Sequence, residues 1–259
     1  MIVDRYAGAA RRWAEGASLV YDPIARHLVA TSPHPLRGRL VLDVGAGTGV
    51  ASSALERTGA RPVATDLSGD MLAWRAAERP PAFVADICAM PLRGGAVEDV
   101  VAAFVLNHLV EPATGIAELR RVSRPGGAVL ACVFATASRS DVRDAVDQAA
   151  QSEGWLVPDW YTHIKQRAVP LLGSAEAMQR AARRAGLVDI GVDERPVDVG
   201  VTEPEQLVDY RLGQAQYSAW LDHLGPPRAD EVRAQLVEAI RPIMRPYLPI
   251  VVFLSALAP

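Results

Sequence analysis

Short apolar runs alternate with amphipathic segments through the first half of the chain. Apolar runs of this length are typical of strands buried on both faces of a parallel sheet, and amphipathic segments are typical of helices that cover such a sheet. The predicted strands are 40–44, 61–67, 81–84, 96–106 and 128–134. The predicted helices are 50–57, a short one that begins at Ser68 or Asp70, and 114–122. Strands and helices that alternate in this way predict an α/β fold.

The flanking regions follow a different pattern. Residues 6–30 lack strand-like alternation and predict one or two helices ahead of the sheet, and Pro33 and Pro35 then break the chain. Beyond the fifth strand, 139–152 predicts a polar helix, whereas 154–170 is predicted to be irregular because prolines interrupt it. The remaining predicted elements are a helix at 174–186 capped by Ser174, a strand at 188–201, helices at 203–217 and 229–244, and a strand at 249–257.

A glycine-rich turn follows the first predicted strand. Gly45, Gly47 and Gly49 come directly after Leu40–Val44. A strand, a glycine turn and a helix together form the beginning of a nucleotide-binding βαβ unit. The spacing departs from that of dinucleotide sites, because Val50 stands where their third glycine would be.

Asp43 stands just before this turn and separates two classes of cofactor. A carboxylate at this point would repel a pyrophosphate, but it could accept a hydrogen bond from a cationic amino-acid head group. S-adenosylmethionine (SAM) carries an ammonium and a sulfonium and has no phosphate. The turn therefore favours SAM over a nicotinamide dinucleotide.

The run Asp-Val-Gly-Ala-Gly-Thr-Gly at 43–49 closely resembles motif I of the class I SAM-dependent methyltransferases. Three later phrases resemble the same family: Asp-Leu-Ser-x-x-Met-Leu at 66–72, Ala-Asp-x-x-x-x-Pro-Leu at 85–92, and Glu-Leu-x-Arg-Val-x-x-Pro-Gly-Gly-x-Val-Leu at 118–130. The resemblance covers 39–134 well and the rest of the chain only by strand count.

The resemblance implies a Rossmann-like, seven-stranded, mostly parallel sheet flanked by helices, with an antiparallel last strand between the fifth and sixth. The strand count matches if 188–199 is the sixth strand and 250–257 is the seventh. We expect a single methyltransferase domain over 1–259. Three segments are predicted to form a mainly helical cap over its core: 1–35, 135–172 and 202–249.

The same resemblance implies the cofactor-binding residues. Asp66 lies at the carboxyl end of the second strand, about 20 residues beyond the glycines, where an acid is placed to bind the ribose hydroxyls. Asp86 would accept a hydrogen bond from the adenine amine and Met71 would touch the ring; a turn-capping aspartate and a core methionine are the alternatives. The predicted set for SAM and its product S-adenosylhomocysteine is Asp43, Gly45, Ala46, Gly47, Asp66, Leu67, Met71, Asp86, Ile87 and Asn107.

Methyl transfer from a sulfonium requires the protein to align the nucleophile and, for an alcohol or a carbon acid, to remove a proton. Histidine is the preferred base near neutral pH, and the chain has five. His108 follows the fourth strand at the edge that faces the methyl donor in the family, so we expect it to be the base. His163 and His223 are second choices, and His34, between two prolines, is expected on the surface.

Aromatic residues of the predicted cap are candidates for the substrate site. In related methyltransferases an aromatic residue from the N-terminal helices often lines the pocket, which suggests Tyr6 and Tyr21; packing of the helices onto the domain is the alternative for both and for Trp13. Aromatic residues concentrated in a loop indicate either a packed lid or a binding wall. The predicted substrate-binding residues are Tyr6, Tyr21, His108, Trp155, Trp160, Tyr161, Gln214 and Tyr217.

Composition limits the kinds of molecule that the protein is expected to bind. A net charge of −3 without a basic block gives no electrostatic footprint for nucleic acid, and the Asn/Asp-Pro-Pro-Tyr/Phe motif of amino-directed nucleic-acid methyltransferases is absent. No apolar run reaches the roughly 18 residues that span a bilayer, and no signal-peptide core begins the chain, so we expect a cytoplasmic monomer or homodimer. Cys88 and Cys132 fall in apolar segments, which is typical of buried free thiols, and no metal site is expected.

These observations predict SAM-dependent methyl transfer to an oxygen, nitrogen or carbon nucleophile of a small organic molecule, and the aromatic-rich cap suggests specialised metabolism. The alternative is a SAM-binding protein that catalyses a rearrangement or cyclisation without methyl transfer, because the binding residues would be largely the same. A nicotinamide-dependent oxidoreductase is a third hypothesis. Asp43 and the glycine spacing argue against it.

Overall fold

The computed structural model describes residues 4–259, and its central element is a seven-stranded sheet. The strands are β1 (Leu40–Val44), β2 (Arg61–Asp66), β3 (Ala82–Val84), β4 (Asp99–Ala103), β5 (Ala128–Phe134), β6 (Val188–Pro196) and β7 (Ile250–Leu257). Their order is β3-β2-β1-β4-β5-β7-β6, and β7 runs antiparallel to both of its neighbours. The predicted sheet is therefore confirmed, including its antiparallel last strand. Of the predicted segment 1–35, residues 1–3 lie outside the described part of the chain.

Helices cover both faces of the sheet. They are α1 (10–30), α2 (Val50–Thr58), α3 (Gly69–Ala73), α4 (Pro112–Val122), α5 (Asp141–Ser152), α6 (159–172), α7 (Ala175–Arg184), α8 (Pro204–Leu212), α9 (Ala215–Leu224) and α10 (Pro226–Ile240). Apolar side chains from these helices meet the sheet in two large buried clusters, one on each side of the strands. Within residues 4–259, no helix combines the length and the apolarity that crossing a membrane requires.

The first helix, α1, is continuous but irregular. A π-helical turn at Trp13–Ala17 separates the α-helical parts Ala10–Arg12 and Ser18–Ala30. This turn packs closely against α8, since a Cβ at Gly16 would overlap the carbonyl oxygen of Asp209. Glycine therefore allows the N-terminal helix to cross α8 at backbone contact distance.

The strand β4 is shorter than the predicted 96–106, because Phe104 adopts a left-handed backbone with φ of 60°. A residue in this region cannot continue an extended strand. The Phe104 N–H still donates to the carbonyl oxygen of Cys132 at 2.9 Å, and Leu106–His108 then forms a 3₁₀ turn. The chain thus turns sharply at the carboxyl edge of the sheet.

His34 was predicted to be on the surface, and in the structure it is only partly exposed because its ring contacts a buried carboxylate. Its Nε2 lies 2.8 Å from Oδ1 of Asp99, and its side chain is 25% exposed. Asp99 begins β4 with its carboxylate completely buried, so it requires donors. Arg39 and the Ala128 N–H also donate to it, at 2.5 and 2.8 Å. The prolines on either side of His34 are exposed, and from this connecting segment the His34 side chain reaches the first residue of β4.

Two further predictions in the second half are wrong. The stretch 154–170 is largely helical: Pro158 immediately precedes α6, and Pro170 lies in its last part, Val169–Leu172, directly after the π-helical turn Ile164–Ala168. The predicted helix 203–217 is two helices, α8 and α9, separated at Gly213 and Gln214. A Cβ at Gly213 would lie 2.5 Å from the backbone nitrogen of Ala17, so this break is where the chain contacts α1.

Candidate functional site

The carboxyl ends of β1, β2 and β4 open into one cavity of about 720 Å³. Ligands of open α/β sheets bind at this edge, and pockets of roughly 300–1,000 Å³ hold small molecules. One side of the cavity is formed by the turn after β1 and the residues after β2 and β3. The other side is formed by α1 and the residues at the ends of β4 and β5.

The turn after β1 is fixed by its own backbone. The N–H groups of Gly45 and Ala46 both donate to the carbonyl oxygen of Thr65, at 2.8 and 3.0 Å. Gly45 has φ of 69°, and a Cβ there would lie 2.5 Å from Cβ of Val105. The turn can therefore approach the exit of β4 only if this residue is glycine.

Asp66 links this turn to the beginning of α3. Its Oδ2 accepts from the Gly47 N–H at 2.8 Å, and its Oδ1 accepts from the Ser68 N–H at 2.9 Å. Burial raises the pKa of this carboxyl, although both hydrogen bonds act to lower it. Asp66 lines the cavity, and each carboxylate oxygen keeps a further lone pair with which to accept from a ligand.

Asp43 lies beneath the turn and has no exposed surface. Its Oδ2 accepts from the hydroxyl of Ser52 at 2.6 Å, which ties the end of β1 to the first turn of α2. Its Oδ1 is buried and has no hydrogen-bond partner within residues 4–259. Burial raises the pKa of Asp43 to about 6. Among the residues predicted to bind the cofactor, Asp43 differs from the others because it does not line the cavity.

The remaining predicted cofactor residues meet at the cavity wall. Leu67 and Met71 follow β2, and Asp86 and Ile87 follow β3. The Asp86 Oδ1 accepts from the Cys88 N–H at 2.8 Å, so the turn-capping role is present. Met71 is 3% exposed, and it contributes both to the packing and to the wall. Ser68 caps α3 by accepting from the Met71 N–H at 3.4 Å, which settles the predicted choice between Ser68 and Asp70.

Asn107, His108 and Tyr6 form the opposite rim of the cavity. The Oδ1 atom of Asn107 is buried and has no protein partner within residues 4–259. The Tyr6 hydroxyl lies 3.3 Å from Nε2 of His108. Burial lowers the pKa of His108 to about 4, with a smaller contribution from the charge of Arg5. His108 is therefore neutral at physiological pH, and burial also raises the pKa of Tyr6.

Four rings make a continuous aromatic wall: Trp13, Tyr21, Phe104 and Phe134. Trp13 stacks on Tyr21 with ring centroids 4.9 Å apart, and Phe104 meets Tyr21 edge-on at 4.8 Å. Phe134 packs against Phe104 at 4.6 Å. The left-handed backbone of Phe104 stores about 1–3 kcal/mol of strain, and residues of this kind cluster at ligand sites.

Several predicted substrate and catalytic residues lie away from the cavity wall. Trp155 is 2% exposed and stacks on Tyr217 at 4.1 Å, so these two rings pack inside the helices. Gln214 reaches the cavity only indirectly, because its Nε2 donates to the hydroxyl of Tyr21 at 3.1 Å. The others that do not line the cavity are Trp160, Tyr161, His163 and His223.

Comparison with known proteins decides the family. A family model described as "Methyltransferase domain" matches residues 42–131. A demethylmenaquinone methyltransferase from Mycolicibacterium gilvum is 40% identical over 159 residues, which are 58% of this chain and 68% of that relative. The chain belongs to the class I SAM-dependent methyltransferase family. For other relatives of the same name the match spans about half of their length, for example 45% of the enzyme from Mycolicibacterium paratuberculosis.

Solved structures show the same methyltransferase fold over nearly the whole chain. Phosphoethanolamine N-methyltransferase 2 from Haemonchus contortus, in complex with SAM, has a TM-score of 0.59 at 16% identity and covers 100% of this chain and 60% of its own. The cyclase SpnF has a TM-score of 0.57 at 18% identity and covers 92% of this chain and 81% of its own. The fold thus occurs both in a methyltransferase and in a protein named for another reaction.

The residues of the cavity fit SAM, the cofactor of this family. Asp66 lines the cavity, as do backbone groups of the glycine turn, and the buried Oδ1 of Asn107 needs a donor. Gly47 has φ of 53°, a left-handed conformation that favours glycine, and a Cβ there would approach Cε of Met71 to 3.3 Å. Within residues 4–259, no group of three His, Cys, Asp or Glu side chains is arranged to hold a metal ion.

Phe104 and Phe134 were missed by the sequence analysis. Each lies at the carboxyl end of a strand, Phe104 directly after β4 and Phe134 as the last residue of β5. In a parallel sheet these positions surround the ligand. Phe134 ends the predicted strand 128–134 and could have been identified in this way, whereas Phe104 fell inside the predicted strand 96–106. Cys132 is buried as predicted, whereas Cys88 is half-buried and lines the cavity.

Proposed function

We propose that this methyltransferase transfers a methyl group from SAM to an oxygen, nitrogen or carbon nucleophile of a small, flat, largely apolar molecule. The observation that carries the proposal is the division of one cavity into two chemically different walls. One wall offers backbone groups and the carboxylate of Asp66, and the other offers four aromatic rings. A cofactor and an acceptor would meet between them.

The cofactor would lie against the glycine turn. Asp66 would accept from the ribose hydroxyls, Asp86 and Ile87 would contact the adenine edge, and Asn107 would accept from a cationic group of the ligand. SAM would supply an electrophilic methyl group, which requires the protein to align the nucleophile and exclude water. Asp43, which has no exposed surface, would act from beneath the turn by holding β1 to α2.

The acceptor would lie against Trp13, Tyr21, Phe104 and Phe134. Aromatic faces favour flat apolar groups through stacked and edge-on contacts worth about 0.5–1.5 kcal/mol each. The relatives are named for demethylmenaquinone, and an acceptor with a quinone-type ring is consistent with this wall. Asp4, Arg5 and Glu111 also line the cavity and would meet any polar part of the molecule.

His108 and Tyr6 would orient the acceptor at the reacting end. A neutral His108 can accept a proton through Nε2, but an acceptor hydroxyl would first have to replace the Tyr6 hydroxyl, 3.3 Å away. With a pKa of about 4, His108 is a weak base. We therefore propose that it accepts a hydrogen bond from the nucleophile and aligns it. Full proton removal would be needed only for an alcohol or a carbon acid.

The second candidate function is catalysis of a rearrangement or cyclisation with SAM bound but not consumed. Its basis is the shared fold with the cyclase SpnF, because a fold can carry more than one reaction.

We also propose that α1, 135–172 and 202–249 act as a cap on one methyltransferase domain. We further propose a cytoplasmic monomer or homodimer, and the net charge of −3 argues against nucleic acid as its partner.

The experiment measures binding and turnover separately. Isothermal titration calorimetry with SAM, S-adenosylhomocysteine and NAD is expected to show binding of the first two, and binding of NAD alone would refute the proposed cofactor site. Incubation with methyl-labelled SAM and a panel of phenols, quinols and amines is expected to transfer label to a flat acceptor. If an acceptor is converted without label and without formation of S-adenosylhomocysteine, the second candidate replaces the first.

A further inference from the structure

Arg79 contacts the glycine turn but is not one of the residues that line the cavity. It follows the 3₁₀ turn Ala76–Glu78 and precedes Pro80, with φ of −120° and ψ of 162°. A residue before proline is restricted to extended backbone conformations. Pro80 therefore restricts the backbone of Arg79, and with it the direction in which the Arg79 side chain approaches the glycine turn.

One nitrogen of Arg79 holds two parts of the site together. Its Nη1 donates to the carbonyl oxygens of Gly47 at 3.1 Å, Met71 at 3.0 Å and Leu72 at 3.1 Å. Gly47 belongs to the turn after β1, whereas Met71 and Leu72 belong to α3 after β2. Within residues 4–259, these carbonyls are the hydrogen-bond acceptors of Arg79, and no carboxylate lies within salt-bridge distance of it.

The rest of the guanidinium continues under the turn. A Cβ on Gly49 would lie 3.9 Å from Nη2 of Arg79, so the planar group extends beneath the turn from Gly47 to Gly49. Its Nε and Nη2 are buried and have no protein partner within residues 4–259. A charged group with buried nitrogens that lack hydrogen-bond partners lowers the stability of the protein. Groups that lower stability in this way are expected at functional sites.

The charge of Arg79 also acts on the two acids of the turn. It lowers the pKa values of Asp43 and Asp66, whose burial raises them. Both carboxylates are thereby kept ionised more readily than burial alone would allow. Asp66 is the acid on the cavity wall, so the charge state of that wall depends partly on Arg79.

We infer that Arg79 is a positioning residue for the cofactor, which fixes the glycine turn relative to α3 so that both ends of SAM are bound at once. The turn would hold the amino-acid end, and α3 with the residues after β2 would hold the nucleoside end. This inference rests on the proposed SAM site and does not depend on methyl transfer. It assigns to Arg79 a role that involves no contact with the cofactor.

The test compares SAM with adenosine, which contains only the nucleoside end. For Arg79→Leu we expect SAM and S-adenosylhomocysteine to bind at least about 10-fold more weakly, since hydrogen bonds to a charged group are lost. The binding of adenosine is expected to weaken by less than about 3-fold. Adenosine lacks the amino-acid end, so its binding does not depend on the position of the turn relative to α3. Arg79→Lys keeps the charge and a donor, and it is expected to recover a large part of the SAM affinity.

Arg75→Leu is the matched control. Arg75 is four positions away and exposed, and its ion pair with Glu78 is 3.5 Å long, so SAM affinity and melting temperature are expected to stay unchanged. Circular dichroism of each variant establishes folding before the titrations. If Arg79→Leu remains folded and binds SAM as the wild type does, the inference is wrong. Equal loss for SAM and adenosine would mean that Arg79 only stabilises the fold.

The pH dependence gives a second readout. Removal of a positive neighbour raises the pKa of Asp66, and a protonated Asp66 accepts less well from the ribose. The loss of SAM affinity on acidification is therefore expected to begin at a higher pH in Arg79→Leu than in the wild type or in Arg79→Lys. An unshifted acid limb would contradict the electrostatic part of the inference. Absence of SAM binding to the wild type would instead refute the proposed function.

Discussion

The two sides of the cavity are built in different ways. On the cofactor side, the contacts join residues close together in the chain through backbone groups, such as the Gly45 and Ala46 N–H groups and the Thr65 carbonyl oxygen. On the acceptor side, the aromatic wall depends on side chains that are far apart in the chain. The hydrogen bond between Tyr21 and Gln214, for example, spans 193 positions.

A buried polar network lies behind the acceptor side. Arg211 is 2% exposed, donates to both oxygens of Asp147 at 2.7 and 2.8 Å, and also donates to Oε1 of Gln214. The Tyr217 hydroxyl donates to Asp147 at 2.5 Å. Through Gln214 the network reaches the hydroxyl of Tyr21, which lines the cavity. The network thus joins α5, α8 and α9 to α1.

The difference explains why one half of the site has a sequence signature and the other does not. A backbone turn of given shape requires glycine at particular positions, so the residue types themselves reveal it. A side-chain network can be built from many combinations of residues, provided that every buried polar group is satisfied. The cofactor side is therefore expected to fail through local shape, and the acceptor side through loss of global stability.

The largest effect is expected for Arg211→Met. Removal of Arg211 leaves the largely buried carboxylate of Asp147 without a positive partner and with the Tyr217 hydroxyl as its remaining donor, which costs up to about 3–5 kcal/mol of unfolding free energy. Urea denaturation measures this loss. Arg241→Met is the matched control: Arg241 is 50% exposed and pairs with Glu205 at 2.9 Å, and because solvent screens such a pair, the urea midpoint of this variant is expected to stay close to that of the wild type. Equal stability of the two variants would show that the network does not support the acceptor side.

Gly45→Ala is expected to have the next largest effect, and its consequences should be local. The new Cβ would lie 2.5 Å from Cβ of Val105, on a backbone with φ of 69°. Strain and overlap together are expected to cost about 2–3 kcal/mol and to weaken SAM at least about 10-fold. Gly126→Ala is the control, because Gly126 has φ of 75° with nothing within 4 Å. It is expected to show the backbone cost of about 1–2 kcal/mol with unchanged SAM affinity.

Asp43→Asn is expected to stabilise the protein without cofactor. The pKa of Asp43 is about 6 in the folded protein, and it is about 4 in the unfolded chain. The folded state binds the proton more tightly, so the unfolding free energy falls as the pH rises through this window and stays lower above it. The asparagine variant lacks this loss, and at pH 7.5 it is expected to be about 1–3 kcal/mol more stable.

Thermal unfolding at pH 5 and pH 7.5 tests the linkage. The advantage of Asp43→Asn is expected to shrink at pH 5, where the wild-type carboxyl is largely protonated. SAM affinity of the variant is expected to fall, because the cofactor side loses the negative charge of Asp43. The wild type keeps this charge although it lowers the stability of the protein. A constant advantage at both pH values would show that burial of this charge is not the cause.

The smallest expected effect concerns His108. Since its pKa is about 4, kcat/KM is expected to show no acid limb from this residue between pH 6 and pH 8. A His108→Gln variant should therefore lower the rate by a factor that is constant over this range. The pH profiles of wild type and variant make the comparison. An acid limb near pH 6.5 that disappears in His108→Gln would restore the role of general base.

The features that could be predicted from the sequence arise from local motifs, whereas those that could not be predicted depend on the choice of side-chain contacts in the fold. The seven-stranded sheet with its antiparallel last strand was predicted from the resemblance to the family and the strand count. The place of Asp66 could be read from a local motif, because strand, turn and acid occur in one short stretch. The buried position of Asp43 could not, since the same residue type suits a direct contact or a tie to Ser52. The helical nature of 159–172 and the break at Gly213 depend on packing between distant segments. No local sequence pattern predicts that packing.

The π-helical turn at Trp13–Ala17 makes the acceptor wall sensitive to chain length. Such a turn corresponds to one extra residue in an otherwise regular helix. Deletion of one residue there would restore an α-helix and rotate everything before it by about 100°. Trp13 would then leave the wall and Tyr6 would leave the rim, while Tyr21 stayed in place. A single codon lost or gained in this turn is thus a short evolutionary route to a differently shaped acceptor pocket above the same cofactor site.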